Sequence, residues 1–457
     1  MRLFVLILCV MLSAAALPGA APAAAQVPPP APTPAPEPRP VTLAQALTQA
    51  LQNNLAIRLA GFEVQITRAQ LEAAQRAKAG TVRSVVSYTR TNEQAPVTIV
   101  IPAGTFGPGV PPTDILVTLP PTPPNLFDAR IIYEYPIYTG GRLEAQIALA
   151  GAGVRGAEAA LERTKQEIIL QTKLAYFQVL GTQAGVEAAQ RGVAQAEETL
   201  RIARARVQAG TSPRFDEIQA EVSLAQAQQT LGRARNGVAV ATQGLAAVVG
   251  LPVDSSLRPQ EQMEVAPVRA PVAELLARGF SQRPEIAEHK ARADAAQAAI
   301  ELARAGAQPV VGLVGTVNTT GTSFGSIGLG WSVMLSATFP LFDGGVTAAK
   351  IKEAELRLEA LKVVEMQLRQ RIELEVRQAA LNLAAAAEEV AAATKTIEAA
   401  REALRIAQVR FREGVGTNLE VIAAQAALAQ SEAARVQALL AFNTARAQLE
   451  RAAGGPV

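Results

Sequence analysis

The sequence predicts a mainly α protein with a β-barrel. Two tandem units each join short alternating strands to a very long helix, with the strands set in a membrane and the helices walling a tube. Three observations carry this. The chain repeats itself 204 residues on: Pro136-Ile137-Tyr138-Thr139-Gly140-Gly141 returns as Pro340-Leu341-Phe342-Asp343-Gly344-Gly345, and Leu200-Arg201-Ile202-Ala203 returns unchanged as Leu404-Arg405-Ile406-Ala407. No proline interrupts 142–207 or 346–412, in a chain rich in Ala, Leu, Gln, Glu and Arg with only 4% aromatics, which marks long helices. Segments of about ten residues between the helices alternate apolar and polar side chains, as strands of a membrane barrel do.

Met1 to about Ala25 reads as a secretory signal, with Arg2 before the apolar run Leu3–Leu12 and Ala23-Ala24-Ala25 as the cleavage site. That run is too short to span a bilayer. The only cysteine, Cys9, falls inside it, so the mature chain has no thiol chemistry. Residues 26–40 form a Pro- and Ala-rich linker. The first unit is expected over 41–252. Its first helix begins at Thr42 or Asn53-Asn54 and runs to about Ala79, followed by a strand Thr81–Arg90, a Pro/Gly-rich loop over 95–124 and a strand Asp128–Ile137. The turn Thr139-Gly140-Gly141 then opens a helix Arg142–Val207. After Gly210-Thr211-Ser212-Pro213 a further helix reaches Val249, where Gly250-Leu251-Pro252 stops it.

A linker spans 253–271, the second unit 272–453, and a tail 454–457. The second unit repeats the order: helix Pro284–Ala307, strand Pro309–Asn318, strand Leu329–Pro340, long helix Val346–Arg412, turn Gly414-Val415-Gly416 and a last helix to Ala452. Gly210, Ile218 and Leu224 return as Gly414, Ile422 and Leu428 at the 204-residue offset, but Leu71, Glu72 and Ala74 match Ile300, Glu301 and Ala303 at 229. The first unit therefore carries a 25-residue insertion, placed in the 95–124 loop.

A helix of 66 residues is ~100 Å long at ~1.5 Å per residue, far more than a bilayer. The two shorter helices of a unit nearly match it end to end, so each long helix is flanked by two short ones. Its apolar residues fall on two stripes. Leu358, Leu361, Leu368 and Ile372 share one; Leu356, Val363, Leu374 and Leu381 lie nearly opposite, and most charges occupy the sectors between. One seam suits a two-stranded coiled coil; two opposed seams suit a wall of helices wetted on both sides. In the strands, Ala129, Ile131, Tyr133 and Tyr135 oppose Arg130, Ile132 and Glu134, while Trp331, Val333, Leu335, Ala337 and Phe339 oppose Ser332, Ser336 and Thr338. Such faces also suit a soluble sheet half-covered by helices; the signal peptide and the tube-like helices point to a membrane. Four strands cannot close in lipid, where an open edge leaves backbone groups unpaired. The chain must therefore be at least dimeric, and strand counting alone does not choose among eight, twelve or sixteen.

These residues resemble the TolC-like outer-membrane efflux protein family of Gram-negative bacteria over about 41–453. The marks are Leu43-Ala44-Gln45-Ala46-Leu47 followed by Asn53-Asn54, Pro340-Leu341-Phe342-Asp343-Gly344-Gly345, and Arg410-Phe411-Arg412-Glu413-Gly414. The resemblance implies a homotrimer with a twelve-strand barrel in the outer membrane, continued by an α-helical barrel through the periplasm. It implies a periplasmic adaptor and an inner-membrane pump of resistance-nodulation-division or ABC type as partners, no cofactor and no catalysis. The chain would then be the passive exit duct for drugs or other toxic small molecules. The alternatives are the outlet of a type I protein secretion system and a structural coiled-coil envelope protein.

The resemblance also implies that the turns after the long helices form a periplasmic tip, with an acid six residues past the glycine projecting into the pore. Here that position is Glu420, matched by Asp216, and three-fold symmetry would make rings of carboxylates that attract cations. A bland reading is that each acid complements its helix dipole. Gly210, Thr211, Phe411, Gly414 and Val415 are expected at the tip, in reach of an adaptor, and Tyr133, Tyr135, Trp331 and Phe339 are expected to face the membrane. A second acid found in some members is Ala423 here, an occasional basic partner is Gly416, and Phe411 cannot hydrogen-bond, so the closed-state latch of the best-known member is not reproduced. Trp331 suits a lipid interface or a contact between subunits. His289, the only histidine, is expected on a solvated helix surface, and one histidine without cysteine disfavours an N/S metal site. The net charge of +3, with interspersed signs, gives no nucleic-acid footprint.

Overall fold

The computed structural model describes residues 39–92, 97–102, 113, 115–119, 124–265, 270–322 and 328–456. The signal segment 1–25 and nearly all of the linker 26–40 lie outside the described residues, as does much of the 95–124 loop.

Two long helices dominate, α3 (Arg142–Gln208) and α7 (Val346–Arg412), each 67 residues and starting 204 residues apart. Each begins at a Gly-Gly pair whose φ angles are positive (Gly140 63°, Gly141 86°; Gly344 66°, Gly345 86°), a conformation that only glycine adopts without strain. That turn redirects the chain from strand to helix. Beyond the distal turns, α4 (Arg214–Val249) and α8 (Asn418–Ala452) run back along their long helices.

The first helical segment is not one helix, as expected, but two: α1 (Leu43–Asn53) and α2 (Leu55–Arg76), with a 3-10 turn at Ala77–Ala79. Both predicted starts are used. Thr42 and Gln45 form a capping box for α1, and the Asn54 side chain accepts from the Ala56 N–H at 2.8 Å to cap α2. The Asn54 amide also donates to the Val248 carbonyl at 2.8 Å. This break leans on Gly250, where an added Cβ would lie 2.7 Å from the Asn53 backbone. The second half has the same break. A helix that sequence reading missed, α5 (Val272–Gln282), precedes α6 (Pro284–Arg304), because Pro284 holds Arg283 extended.

The strands β2 (Thr81–Arg90), β5 (Asn125–Tyr138), β7 (Val310–Gly321) and β8 (Gly328–Thr338) form one antiparallel sheet in the order β2-β5-β7-β8. β5 is longer than expected and bulges between Pro136 and Tyr138. Two further pairings were not expected. A parallel bridge joins β1 (Arg39–Val41) to β6 (Leu257–Pro259), inside segments read as linkers. The 95–124 loop contains a hairpin of β3 (Val97–Ile101) and β4 (Ile115–Leu119).

The helices form a layer with two principal cores. In the first half Ile168, Tyr176, Val179, Leu245 and Val249 pack with Ala46, Ala50, Val41 and Leu257; the Tyr176 hydroxyl donates to the Val41 carbonyl at 3.1 Å. In the second, Ile372, Val376, Phe442 and Leu449 pack with Leu275. Behind this core a buried guanidinium, Arg283, binds Glu375 at 2.6 Å and Glu285 at 3.0 Å, and Arg451 binds Glu285 at 2.6 Å. Burial alone would raise the Glu285 carboxyl, but hydrogen bonds from Arg283 and its own backbone, with the charges of Arg283 and Arg451, lower it to about 2.

The long helix α3 is flanked by α2 and α4 and also by α6 and α8, whereas α7 packs mainly on α5, α6 and α8. Of the two apolar stripes on α7, the Ile372 stripe faces this core, and Leu368 packs against it. The opposite stripe stands open, with Leu356, Val363, Leu374 and Leu381 50–71% exposed. At the other side of the layer, Leu55, Leu59, Phe62 and Ile66 of α2 recur at helical spacing and are equally exposed, as are Phe215, Ile218 and Val222 of α4.

Candidate channel wall and tip

Cross-strand partners share a face of a sheet, and the register separates the two faces by chemistry. One face carries Val82, Val86, Tyr88, Phe127, Ile131, Tyr133, Tyr135, Leu313, Val317, Leu329, Trp331, Val333 and Leu335, with Ser84 and Thr319 among them. The other carries all the strands' paired charges and most of their polar residues, Arg83, Asp128, Arg130, Glu134, Thr316, Asn318, Thr320, Ser332 and Ser336, interleaved with Val85, Ile132, Val314 and Met334. Its charges are paired: Arg83 with Glu134 at 2.7 Å and Arg130 with Asp128 at 2.6 Å, and Thr320 donates to Asp128 at 3.2 Å. Water can solvate such a face and lipid cannot.

The apolar face has aromatics at both ends. Tyr88 and Phe127 meet 4.9 Å apart near one end and Tyr133 stacks on Tyr135 near the helices, while Trp331 pairs with Val317 and so stands level with Ile131, between the two. From Phe127 to Tyr135 the strand rises ~27 Å at ~3.4 Å per residue, or ~21 Å of height at a tilt of ~40°. That approaches the ~25 Å apolar band of a membrane barrel flanked by aromatic girdles. Tyr133, Tyr135 and Trp331 stand on this face and are exposed. Phe339 is exposed but falls one residue past the end of β8, so it is not a strand residue as expected. Among the described residues, the outer edges of β2 and β8 have no partner in the sheet. No helix among the described residues is long and apolar enough to cross a membrane.

The distal turns lie at the end of the helical layer, ~100 Å of helix from the strands. Gly210 (φ 69°) and Gly414 (φ 78°) shape them. Thr211 and Val415 are exposed there. Phe411 is not: it is 3% exposed in a small core with Val421 and Leu404, which removes it from any surface contact. Arg206 covers it, with the guanidinium 4.6 Å from the ring centroid and donating at 2.7 Å to the Phe411 carbonyl. Further bonds cross between the helix pairs. The Asn418 amide donates to the Asp216 carbonyl oxygen at 3.0 Å, and Gln425 donates to the Thr199 hydroxyl at 2.7 Å.

Glu420 and Asp216 occupy equivalent places in different surroundings. The Glu420 backbone N–H is capped by Thr417 at 3.3 Å, and its carboxylate lies 3.5 Å from Arg410, both side chains about half exposed. Asp216 accepts from Ser212. Sequence reading missed both arginines. The available signal was their own repetition, since Arg206 and Arg410 each stand four residues before the turn glycine. His289 is also corrected: it is 7% exposed, wedged between α6 and α7 with Glu365 4.0 Å away. Among the described residues no group of three or more His, Cys, Asp or Glu is placed to hold a metal ion.

Comparison with known proteins agrees with this geometry. The profile of the family described as outer membrane efflux protein matches residues 46–251 and 275–455. The outer membrane efflux protein BepC of Brucella suis is 25% identical over 66% of this chain and 66% of its own length. The toluene efflux pump outer membrane protein TtgI of Pseudomonas putida is 25% identical over 74% of this chain and 73% of its own. Among solved structures, the open state of the MtrE outer membrane channel of Neisseria gonorrhoeae superposes with a TM-score of 0.73 at 22% identity, over 90% of this chain and 89% of that one.

Proposed function

The chain belongs to the outer membrane efflux protein family, a family of outer-membrane channels rather than enzymes, and from that premise we propose that it is the exit duct of a tripartite efflux system. Three copies join side by side, each giving four strands to a twelve-strand barrel and its helices to one tube. The observation that carries this is the pair of unmatched lateral surfaces. The open α7 stripe at one side and the open α2 and α4 stripes at the other have the same apolar chemistry, and both sheet edges must be paired in lipid. A closed ring satisfies all four at once.

An adaptor in the periplasm and an inner-membrane pump, of resistance-nodulation-division or ABC type, load the tube; the duct itself supplies no energy. Its cargo is small toxic compounds, a reading supported by TtgI, which is named for toluene efflux. At the tip, Glu420 and Asp216 would ring the opening, a reading supported by their equivalent positions six residues past the turn glycines, with Arg410, 3.5 Å from Glu420, partly neutralising it. Gly210, Thr211, Gly414 and Val415 form the surface an adaptor would meet. Deleting the gene should sensitise cells to solvents and lipophilic drugs, and restoring it should reverse this. Unchanged susceptibility with loss of an exported protein would instead make the chain a secretion outlet.

A further inference from the structure

A cavity of about 830 Å³ lies where the helices meet the sheet. Its walls come from the turn after α2, the end of β5 with its Gly-Gly turn, the first turns of α3 and the end of α6. The lining all comes from one protomer. The copies that close the ring join at β2 and β8, along α7 and along α2 and α4, so Lys78, in the turn between α2 and β2, stands on the side that meets the next copy, while the rest of the wall comes from inner elements.

The cavity borders the apolar side of the sheet. Tyr135 belongs to that face, and the bulge brings Tyr138 into register with Val311 on it, while Pro136 adds one residue of the polar face to the wall. The cavity's level is that of the aromatic girdle nearest the helices, where acyl chains give way to headgroups. Above it stand Tyr135, Ile137, Tyr138 and Leu143. At its rim Lys78 meets Glu144 at 3.0 Å and Arg304 meets Glu301 at 2.9 Å, all four side chains at least half exposed. Lys78 holds the Glu144 carboxyl below the usual range, so that carboxylate stays charged at neutral pH.

The geometry points to a binding site for a zwitterionic phospholipid that carries a phosphate and a primary ammonium. Lys78 and Arg304 take the phosphate, Glu144 and Glu301 take the ammonium, and the acyl chains run up past Tyr135 and Ile137 along the apolar face. Two cations and two carboxylates match a headgroup bearing one charge of each sign; an anionic headgroup would leave the carboxylates facing negative charge. This rests on the outer-membrane reading of the sheet.

Native mass spectrometry of the detergent-purified protein tests it, with phosphatidylethanolamine, phosphatidylglycerol and phosphatidylcholine offered in turn. The wild type should retain phosphatidylethanolamine in preference to the other two. The K78A/R304A double variant should retain it about tenfold less, as expected for the loss of charge-assisted hydrogen bonds. K362A, whose ion pair with Glu359 lies along α7, should match the wild type. The E144Q/E301Q variant should shift preference towards phosphatidylglycerol, an outcome that mere unfolding does not produce. Equal retention by wild type and K78A/R304A overturns the site, and so does equal binding of phosphatidylglycerol by the wild type. Competition by inorganic phosphate or soluble phosphoethanolamine as strong as by the lipid assigns the cavity to a free anion and overturns the lipid. Flotation with vesicles separates the two readings: a wild type that fails to float sinks the membrane assignment, whereas one that floats without selective retention sinks only the site.

Discussion

Replacing Leu374 and Leu381 by alanine should dissolve the oligomer while leaving the chain folded. Both sit on the open stripe of α7, 64% and 71% exposed in the single chain. Fully burying a leucine side chain contributes ~1.5–3 kcal/mol, so two-thirds of that, ~1–2 kcal/mol per residue, remains to be gained when another copy covers it. Two residues at each of three interfaces give ~6–12 kcal/mol for a closed ring, enough to shift assembly by several orders of magnitude at micromolar concentration. Sedimentation in detergent should show three copies for the wild type and one for the double variant, with unchanged helical circular dichroism. Ile372→Ala is the contrasting case: its side chain is already buried within the chain, so it should lower thermal stability by ~2–4 kcal/mol. An L374A/L381A protein that still sediments as the wild-type oligomer refutes the assignment of the α7 stripe as an interface.

Acid should weaken the fold through Glu285. Its folded value of about 2 lies below the unfolded 4.5, so its contribution is present above pH ~4.5 and is lost as pH falls towards 2; the difference is worth ~3 kcal/mol. Glu285→Gln should lower stability by about that amount at pH 7 and flatten its decline in acid, and equal pH profiles in chemical denaturation would remove the carboxylate from the account. At the tip, Arg206→Ala breaks a hydrogen bond and a cation–π contact between the two helix pairs, ~1–3 kcal/mol together. It should raise single-channel conductance, and an unchanged value would show that the clamp does not restrain the opening. Arg410→Ala should increase cation preference in a salt-gradient reversal potential, whereas Glu420→Gln should reduce it. If neither moves the potential, these side chains lie outside the constriction.

The long elements were legible because their signals are local and repeated. An uninterrupted helical pattern between Gly-Gly and Gly-Thr-Ser-Pro placed α3 within a residue of its observed end, and the opposed α7 stripes were visible by period alone. What escaped lacked such a signal. The strands β1 and β6 are three residues each and pair across more than two hundred residues of chain. The hairpin β3–β4 was hidden because a Pro/Gly-rich segment surrounds two five-residue runs. Pro284 looked like a helix start and concealed α5 before it. His289 has charged neighbours on both sides, Glu288 and Lys290, yet stands eleven residues, three turns, before the buried Ile300 and so faces inward. The tip pairs join residues across a turn or between helix pairs, and no spacing rule within one helix reveals them.

The central claim is that copies of this chain enclose one water-filled path through the outer membrane. Planar-bilayer recording of the purified oligomer tests it most directly. Discrete ohmic steps that grow larger with Arg206→Ala are the predicted result. A preparation that inserts as an intact oligomer, yet passes no current in either form, would contradict it.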